Sequence, residues 1–249
     1  MVAITVSFEG RDSKQAYARS QFIARWECGK IAWMQLGENE AGNGTTDQMS
    51  KAEIAKKRVA VVAMQGDFEK HIQMLRSIGA DAFKARTPAE VDGADAVILP
   101  GGESTTIGKL LARFGVDKAI RRAAAAGKPV YGTCAGLILL ARDIQAGTGE
   151  QGGQPTLGLL DVTVSRNAFG RQVDSFEADL DVPAIGADPL HAVFIRAPIV
   201  VEAGPKVETL ASIDGKTVFV KQGSVLGSSF HPELTGDDRV HRYFLSLIQ

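Results

Sequence analysis

Apolar and polar residues follow a strand-then-helix order along most of the chain, beginning near residue 58. The runs RVAVVAM (58–64), DAVILPGG (95–102) and PVYGTC (129–134) are continuous and apolar, as expected for strands that are buried on both faces of a sheet. Other segments carry apolar residues at helical spacing: DFEKHIQMLRSIG (67–79), TIGKLLARFG (106–115), DKAIRRAAAAG (117–127) and AGLILLARDI (135–144). The pattern predicts an α/β fold with a mostly parallel central sheet flanked by helices.

The pattern changes from about residue 157. Short strand-like runs separated by turn signals extend from GLLDVTVSRN (158–167) to VLGSSFHPEL (225–234), and DRVHRYFLSLI (238–248) has the spacing of a last helix. These runs predict an antiparallel strand layer added to the parallel sheet. AGTGEQGGQP (146–155) is rich in glycine and is expected to be a mobile surface loop.

Residues 1–57 do not share this regularity. They contain both tryptophans and a polar run, GENEAGNGTTDQMSKAE (37–53), typical of a linker or a disordered stretch. We therefore predict a poorly ordered N-terminal extension over 1–57 and one main domain over 58–249.

Composition and charge exclude several classes of function. The chain has 249 residues, 45% of them hydrophobic, and a formal net charge of -1, which gives no electrostatic basis for binding nucleic acid or anionic membranes. It has neither an apolar run near the ~20 residues that span a bilayer nor the features of a secretory signal. Two cysteines, Cys28 and Cys134, are too few for a disulfide framework, and the spacing of a structural zinc site is absent, so we expect a cytoplasmic protein.

The segment GTCAG (132–136) is the first candidate for chemistry. Small residues around Cys134 fit the sharp strand-to-helix turn of a nucleophile elbow, and the start of a helix favours the reactive thiolate. A buried structural cysteine on a tight turn is the alternative.

Among the four histidines, His231 is the best candidate for the general base. His71 and His241 lie on predicted amphipathic helices, where packed or solvated histidines are common, and His191 follows a turn that suggests the surface. Pro232 keeps His231 extended, so Glu233 would project to the same side and could orient the imidazole. Together with Cys134, these residues suggest a Cys-His-Glu triad; an exposed His-Pro-Glu turn is the alternative.

LPGGESTT (99–106) follows a buried strand and supplies backbone donors. The N–H of Gly101 or Gly102, with the N–H of Ala135, could stabilise an oxyanion, although an ordinary capped turn has a similar sequence. The carboxyl ends of parallel strands share one edge of the sheet, so this turn, Cys134 and His231 could meet there.

The motifs PGGEST, GTCAGLI and SFHPEL together resemble the class I, triad-type glutamine amidotransferases. RNAFGRQVDSFE (166–177), FIRAP (194–198) and AVVAMQGDFEKH (60–71) narrow the resemblance to the glutaminase subunits of pyridoxal 5'-phosphate synthase, over residues 58–249. The resemblance implies that Cys134 attacks glutamine, that His231 moves the proton and that Glu233 orients His231. It also implies a set of glutamine-binding residues: Gly102, Glu103, Ser104, Arg166, Ile195 and Arg196.

The resemblance further implies L-glutamine as substrate, no metal or organic cofactor, and a barrel-shaped synthase subunit as partner in a large hetero-oligomer. Family chains begin just before the first strand, so Met49 is a natural start. We hypothesise that residues 1–48 reflect an upstream start assignment; a lineage-specific extension is the alternative.

Three other functions compete with this interpretation. The glutaminase subunit of imidazole glycerol phosphate synthase would share the triad but lack RNAFGRQVDSFE. A peptidase-like hydrolase would usually place its histidine soon after the cysteine. A binding subunit without activity would not need to keep Cys134, His231 and Glu233 intact.

Overall fold

A computed structural model describes residues 22–27, 30–35, 51–145, 154–166 and 175–249. The chain divides into two compact units, Met1–Thr46 and Asp47–Gln249. In the first unit, strands β1 (Phe22–Glu27) and β2 (Lys30–Gln35) pair as an antiparallel hairpin, which the sequence analysis did not predict. Most of the polar run 37–53 and of the glycine-rich segment 146–155 lies outside the described residues.

The second unit starts with regularly alternating strands and helices and continues mainly as strands. Its helices are α1 (Lys51–Ile54), α2 (Phe68–Ser77), α3 (Pro88–Asp92), α4 (Ser104–Phe114), α5 (Val116–Ala125), α6 (Ala135–Leu140) and α7 (Arg239–Ser246). Its strands are β3 (Arg58–Val62), β4 (Asp81–Ala85), β5 (Ala96–Leu99), β6 (Val130–Thr133), β7 (Ala141–Ile144), β8 (Leu160–Ser165), β9 (Ser175–Leu180), β10 (Leu190–Ile195), β11 (Ile199–Ala203), β12 (Glu208–Ile213), β13 (Lys216–Gln222) and β14 (Val225–Ser228). Short 3-10 turns cover Pro183–Ile185 and Pro232–Leu234.

One large sheet organises the second unit, with strand order β4-β3-β5-β6-β14-β13-β11-β8-β7 and β12 paired to β13. In this order, the first five strands, β4, β3, β5, β6 and β14, are parallel to one another. Strand β13 pairs antiparallel with β14, β11 and β12, and β11 pairs antiparallel with β8. Strands β9 and β10 form a separate antiparallel pair. The predicted α/β fold with its added antiparallel strands is therefore confirmed.

The parallel strands are buried on both faces, which explains their continuous apolar sequences. In β3, Val59 and Val61 pack in one hydrophobic cluster while Ala60 and Val62 pack in the other, across the sheet. Ile54 on α1 is 2% exposed and belongs to the same cluster as Val59. Residues 51–57 thus pack with the second unit, and the division at 46/47 lies eleven residues before the expected boundary at 57/58.

The expected single helix over AGLILLARDI is wrong in its second half. Helix α6 ends at Leu140, and Ala141–Ile144 forms β7, which pairs in parallel with β8. Apolar spacing over ten residues cannot separate a helix from a short helix followed by an edge strand, because pairing with β8 satisfies the same backbone groups.

Candidate active site

The turn between β6 and α6 holds Cys134 in a strained backbone conformation. Its φ is 49°, which is uncommon for a residue with a side chain, and its N–H donates to the Ser228 carbonyl on β14 at 2.8 Å. Gly136, two residues later, leaves no room for a side chain, since a Cβ there would lie 2.1 Å from the Leu99 carbonyl oxygen. Cys134 is 8% exposed, and its thiol lies 3.8 Å from the Ile195 carbonyl oxygen.

His231 and Glu233 follow β14 and lie together beside this turn. His231 Nδ1 donates to Glu233 Oε1 at 2.7 Å, and the two side chains belong to residues 7% and 4% exposed. Their approach differs from the extended geometry expected, because Pro232–Leu234 forms a 3-10 turn that brings the carboxylate back to the ring. The His231 N–H donates to the Val193 carbonyl of β10 at 2.9 Å, which anchors this turn.

The three side chains influence one another's charge. Burial disfavours the imidazolium, but the neighbouring Cys134 side chain and the Glu233 carboxylate outweigh burial and raise the pKa of His231. Burial would likewise raise the pKa of Glu233, yet interactions with His71 and His231 hold it below its usual range. A charged imidazolium beside a carboxylate and a thiol is the arrangement that activates a cysteine nucleophile.

Gly101 and Gly102 have different surroundings, although the sequence analysis gave both of them as possible oxyanion donors. A Cβ on Gly101 would lie 2.4 Å from His231 Cε1, so Gly101 sits directly against the imidazole. Gly102 lines the cleft beside Cys134, as does Ala135. Of the three residues predicted to form the oxyanion hole, Gly102 and Ala135 line the cleft, whereas Gly101 lies against His231.

A cleft of about 410 Å³ opens above the thiol, a volume suited to a small molecule. Its lining includes Cys134 and His231 together with all six residues expected to bind glutamine: Gly102, Glu103, Ser104, Arg166, Ile195 and Arg196. Arg196 has a φ of 43°, so Arg196, like Cys134, lines the cleft with a positive φ.

Glu103 has a structural task as well as a place in the cleft. Its carboxylate accepts hydrogen bonds from the N–H groups of Thr105 at 3.0 Å and Thr106 at 2.6 Å, which caps helix α4. A hydrogen bond from the Thr106 side chain is the main reason why the pKa of Glu103 falls to about 2, and the two backbone N–H groups add to it. Its charge is therefore directed at the helix start as well as at the cleft.

Comparison with known proteins identifies the family. The model of the SNO glutamine amidotransferase family matches residues 61–249, which is most of the chain. The chain belongs to the SNO glutamine amidotransferase family. The predicted resemblance is thus confirmed, and the chain is a glutamine amidotransferase.

The relatives of this SNO family member support the same assignment. The pyridoxal 5'-phosphate synthase subunit PdxT of Pelotomaculum thermopropionicum is 54% identical over 76% of this chain and 93% of its own length, and that of Moorella thermoacetica is 52% identical over 77% and 99%. A solved structure described as a glutamine amidotransferase is 50% identical, with a TM-score of 0.71 over 76% of this chain and 98% of its own. The structure of PurLQS from Thermotoga maritima, 21% identical with a TM-score of 0.54 over 77% and 97%, shares the fold.

Sequence reasoning missed three residues near the site of this SNO family member. Gln65 lines the cleft, and its side-chain oxygen accepts the Glu103 N–H at 2.8 Å; its place at the carboxyl end of β3 was the available signal. His71 and His241 were expected to be ordinary helix residues, but both are fully buried behind Glu233. His71 shares the apolar spacing of Phe68, Ile72 and Leu75, which places it on the buried stripe of α2.

The remaining expectations concern His191, membrane-spanning helices, metal sites and the segment RNAFGRQVDSFE. His191 is exposed and contacts Asp179 and Glu177, in keeping with the surface position expected. Within the described ranges, no helix has the length and apolar character that crossing a bilayer requires. The same ranges contain no group of histidine, cysteine, aspartate or glutamate side chains that could hold a metal ion. Of RNAFGRQVDSFE, residues 167–174 lie outside the described residues.

Proposed function

We propose that this chain hydrolyses L-glutamine to L-glutamate and ammonia as the glutaminase subunit of a pyridoxal 5'-phosphate synthase. The observation that supports the proposal is that Cys134 and His231 line one cleft, with Glu233 hydrogen-bonded to His231, in a chain of the SNO family. Relatives that are about half identical carry the name of that subunit, which favours it over the glutaminase of imidazole glycerol phosphate synthase.

The reaction begins with attack of the Cys134 thiolate on the side-chain amide carbon of glutamine. The negative charge that develops on the amide oxygen is stabilised by backbone donors, for which Gly102 and Ala135 are well placed. The His231 imidazolium gives its proton to the departing nitrogen, and ammonia leaves as the C–N bond breaks. A glutamyl thioester remains on Cys134.

Water completes the cycle. His231, now neutral, takes a proton from a water molecule that attacks the thioester carbon, and glutamate leaves as the C–S bond breaks. Throughout, Glu233 fixes the imidazole with its proton on Nδ1, so that the other ring nitrogen faces the reaction. The required groups are all side chains and backbone donors of this chain, and the proposal needs no cofactor.

The cleft lining suggests how glutamine is recognised. Arg166 and Arg196 offer guanidinium groups for the α-carboxylate of the substrate. Gly102, Glu103, Ser104 and Ile195 also line the cleft. We place the enzyme in the cytoplasm with a barrel-shaped synthase subunit, in a large hetero-oligomer where ammonia passes to that subunit.

Glutamate release tests the proposal. We would measure it from glutamine with and without the synthase subunit, for the wild-type chain, for Cys134→Ala and for Cys28→Ala, which removes the other cysteine. We expect activity that rises when the synthase subunit is added, that falls at least about a thousandfold in Cys134→Ala, and that persists in Cys28→Ala. Full activity of Cys134→Ala would refute the thiol mechanism, and strong activity that ignores the synthase subunit would refute the partner.

A further inference from the structure

Two buried histidines lie directly behind the proposed triad. His71 on α2 and His241 on α7 are both 0% exposed, and His71 Nδ1 lies 3.0 Å from His241 Nε2. On its other side, His71 Nε2 lies 3.4 Å from Glu233 Oε2 and 3.2 Å from Thr133 Oγ1. A continuous line of polar side chains therefore runs from α7 through Glu233 to His231 and the thiol.

The surroundings decide which nitrogens carry protons. If His71 carried its proton on Nδ1, its Nε2 lone pair would face the Glu233 carboxylate, which is unfavourable in a buried site. His241 would then accept at Nε2 and have to bury a proton on Nδ1, an atom without a hydrogen-bond partner among the described residues. The opposite assignment leaves only an unpaired lone pair on His241 Nδ1. Protons on His241 Nε2 and His71 Nε2 are therefore favoured.

We propose that His71 is a positioning residue for glutamine hydrolysis. Its Nε2–H lies 3.2 Å from Thr133 Oγ1 and 3.4 Å from Glu233 Oε2, an oxygen with no hydrogen-bond partner of its own among the described residues, and it attracts that oxygen, while His241 fixes this tautomer by donating to His71 Nδ1. The inference rests on the proposed function, because the role of Glu233 does. Glu233 would then have one histidine beside each oxygen, with His231 donating to Oε1 at 2.7 Å and His71 Nε2 at 3.4 Å from Oε2. A carboxylate held by both oxygens is less free to rotate away from the imidazole.

The ionisable groups around Glu233 come from several elements. They are His231 beside it, His71 on α2, His241 on α7, and Tyr131 on β6, whose hydroxyl hydrogen-bonds Ser228 at 2.8 Å. Among the described residues, the ring nitrogens near the carboxylate oxygens are His71 Nε2 and His231 Nδ1. Loss of the His71 donor therefore removes stabilisation of the charged carboxylate and makes Glu233 easier to protonate.

The test compares His71→Leu, which removes the donor, with His71→Gln, whose side-chain amide retains one. The first readout is the rate at which iodoacetamide alkylates Cys134 as a function of pH, in the full-length chain with Cys28→Ala and without glutamine. We expect the alkylation profile of His71→Leu to move to higher pH, because a Glu233 carboxylate that can turn away from His231 stabilises the thiolate–imidazolium pair less. His71→Gln should restore most of the wild-type profile.

The second readout is steady-state glutaminase activity with the synthase subunit. His71→Leu should lower kcat about ten- to a hundredfold with little change in KM, since His71 does not line the cleft. His191→Gln, a change at an exposed histidine, should alter neither readout. If folded His71→Leu keeps the wild-type alkylation profile and kcat, or if His71→Gln is as impaired as His71→Leu, the inference is overturned.

A measurement on the wild-type chain applies even if these variants do not fold. Nitrogen NMR of the imidazoles distinguishes a protonated from an unprotonated ring nitrogen. We expect His71 to carry its proton on Nε2 and to accept at Nδ1; a proton on Nδ1 overturns the inference. Because neither the alkylation nor the NMR measurement involves glutamine, failure of the inference is distinguishable from failure of the proposed function.

Discussion

The two sides of the Cys134 thiol are built in different ways. On one side, His231, Glu233, His71 and His241 are at most 7% exposed and contact one another through their side chains. On the other side, the glutamine-binding candidates Gly102, Glu103, Ile195 and Arg196 are exposed and border an open cleft.

The difference follows from what each side must do. A histidine and a carboxylate attract each other more strongly when water is excluded, and here this attraction outweighs the cost that burial imposes on each charge. A substrate-binding surface must instead admit a polar molecule and release it, which requires exposure. The buried side should therefore respond to substitutions through proton transfer and stability, and the open side through substrate affinity.

The largest effect is expected at the border between the two sides. Alanine at Gly101 would place a methyl group 2.4 Å from His231 Cε1 and force the imidazole to move. We expect Gly101→Ala to reduce kcat for glutamate release about a hundredfold, since displacement by about 1 Å is enough for such a loss. The measurement is glutaminase kinetics with the synthase subunit.

Gly236→Ala is the matched control for this change. A Cβ at Gly236 would meet nothing within 4 Å, and its φ lies outside the left-handed region. Its kcat should stay at the wild-type level. Equal activity of the two variants would show that the imidazole does not depend on Gly101.

On the buried side we expect an acid-sensitive fold. Burial lowers the pKa of His241 from 6.5 to about 3. As the pH falls, this histidine is therefore protonated at a higher pH in the unfolded chain than in the folded one. The contribution of His241 is complete above about pH 6.5 and is lost as the pH falls towards 3, at up to about 1.4 kcal/mol per pH unit. Chemical denaturation between pH 5 and 6.5 should show this slope, and His241→Gln should flatten it.

His191 supplies the control, since its pKa is raised by Asp179 and Glu177 and its linkage has the opposite sign. Its contribution is present below about pH 6.5 and is lost at higher pH, so His191→Gln should leave the slope between pH 5 and 6 unchanged. An identical slope in wild type and His241→Gln would mean that His241 is not the group responsible.

The smallest effect is expected on the open side, at the cap of α4. Glu103→Ala removes the acceptor for Thr105 and Thr106 N–H, and Thr87→Ala removes the side chain that caps α3 away from the cleft. Each should lower the free energy of unfolding by about 1 kcal/mol. Only Glu103→Ala should also raise KM for glutamine. Equal KM values would restrict Glu103 to its structural role.

The sequence predicted the structure best where a local pattern fits few structures. Continuous apolar runs predicted the parallel strands, and the small residues around Cys134 predicted the turn that the structure shows. The position of Glu233 beside His231 was also anticipated, although the 3-10 turn that produces it was not.

The remaining features depend on contacts between distant segments. His71 and His241 are 170 residues apart, and only folding brings their rings within 3.0 Å. The hydrophobic spacing of α2 predicted a buried stripe but could not reveal which polar partners would meet it. In the same way, pairing with β8, and not local spacing, converts the end of AGLILLARDI into a strand.

Strand β10 contacts both members of the reacting pair. The Val193 carbonyl accepts the His231 N–H, and the Ile195 carbonyl faces the Cys134 thiol. Carbonyl groups two residues apart on a strand point the same way and are spaced by about 6.7 Å. The spacing along β10 therefore helps to set the distance between His231 and Cys134. A movement of β10 along its axis would shift both contacts at once.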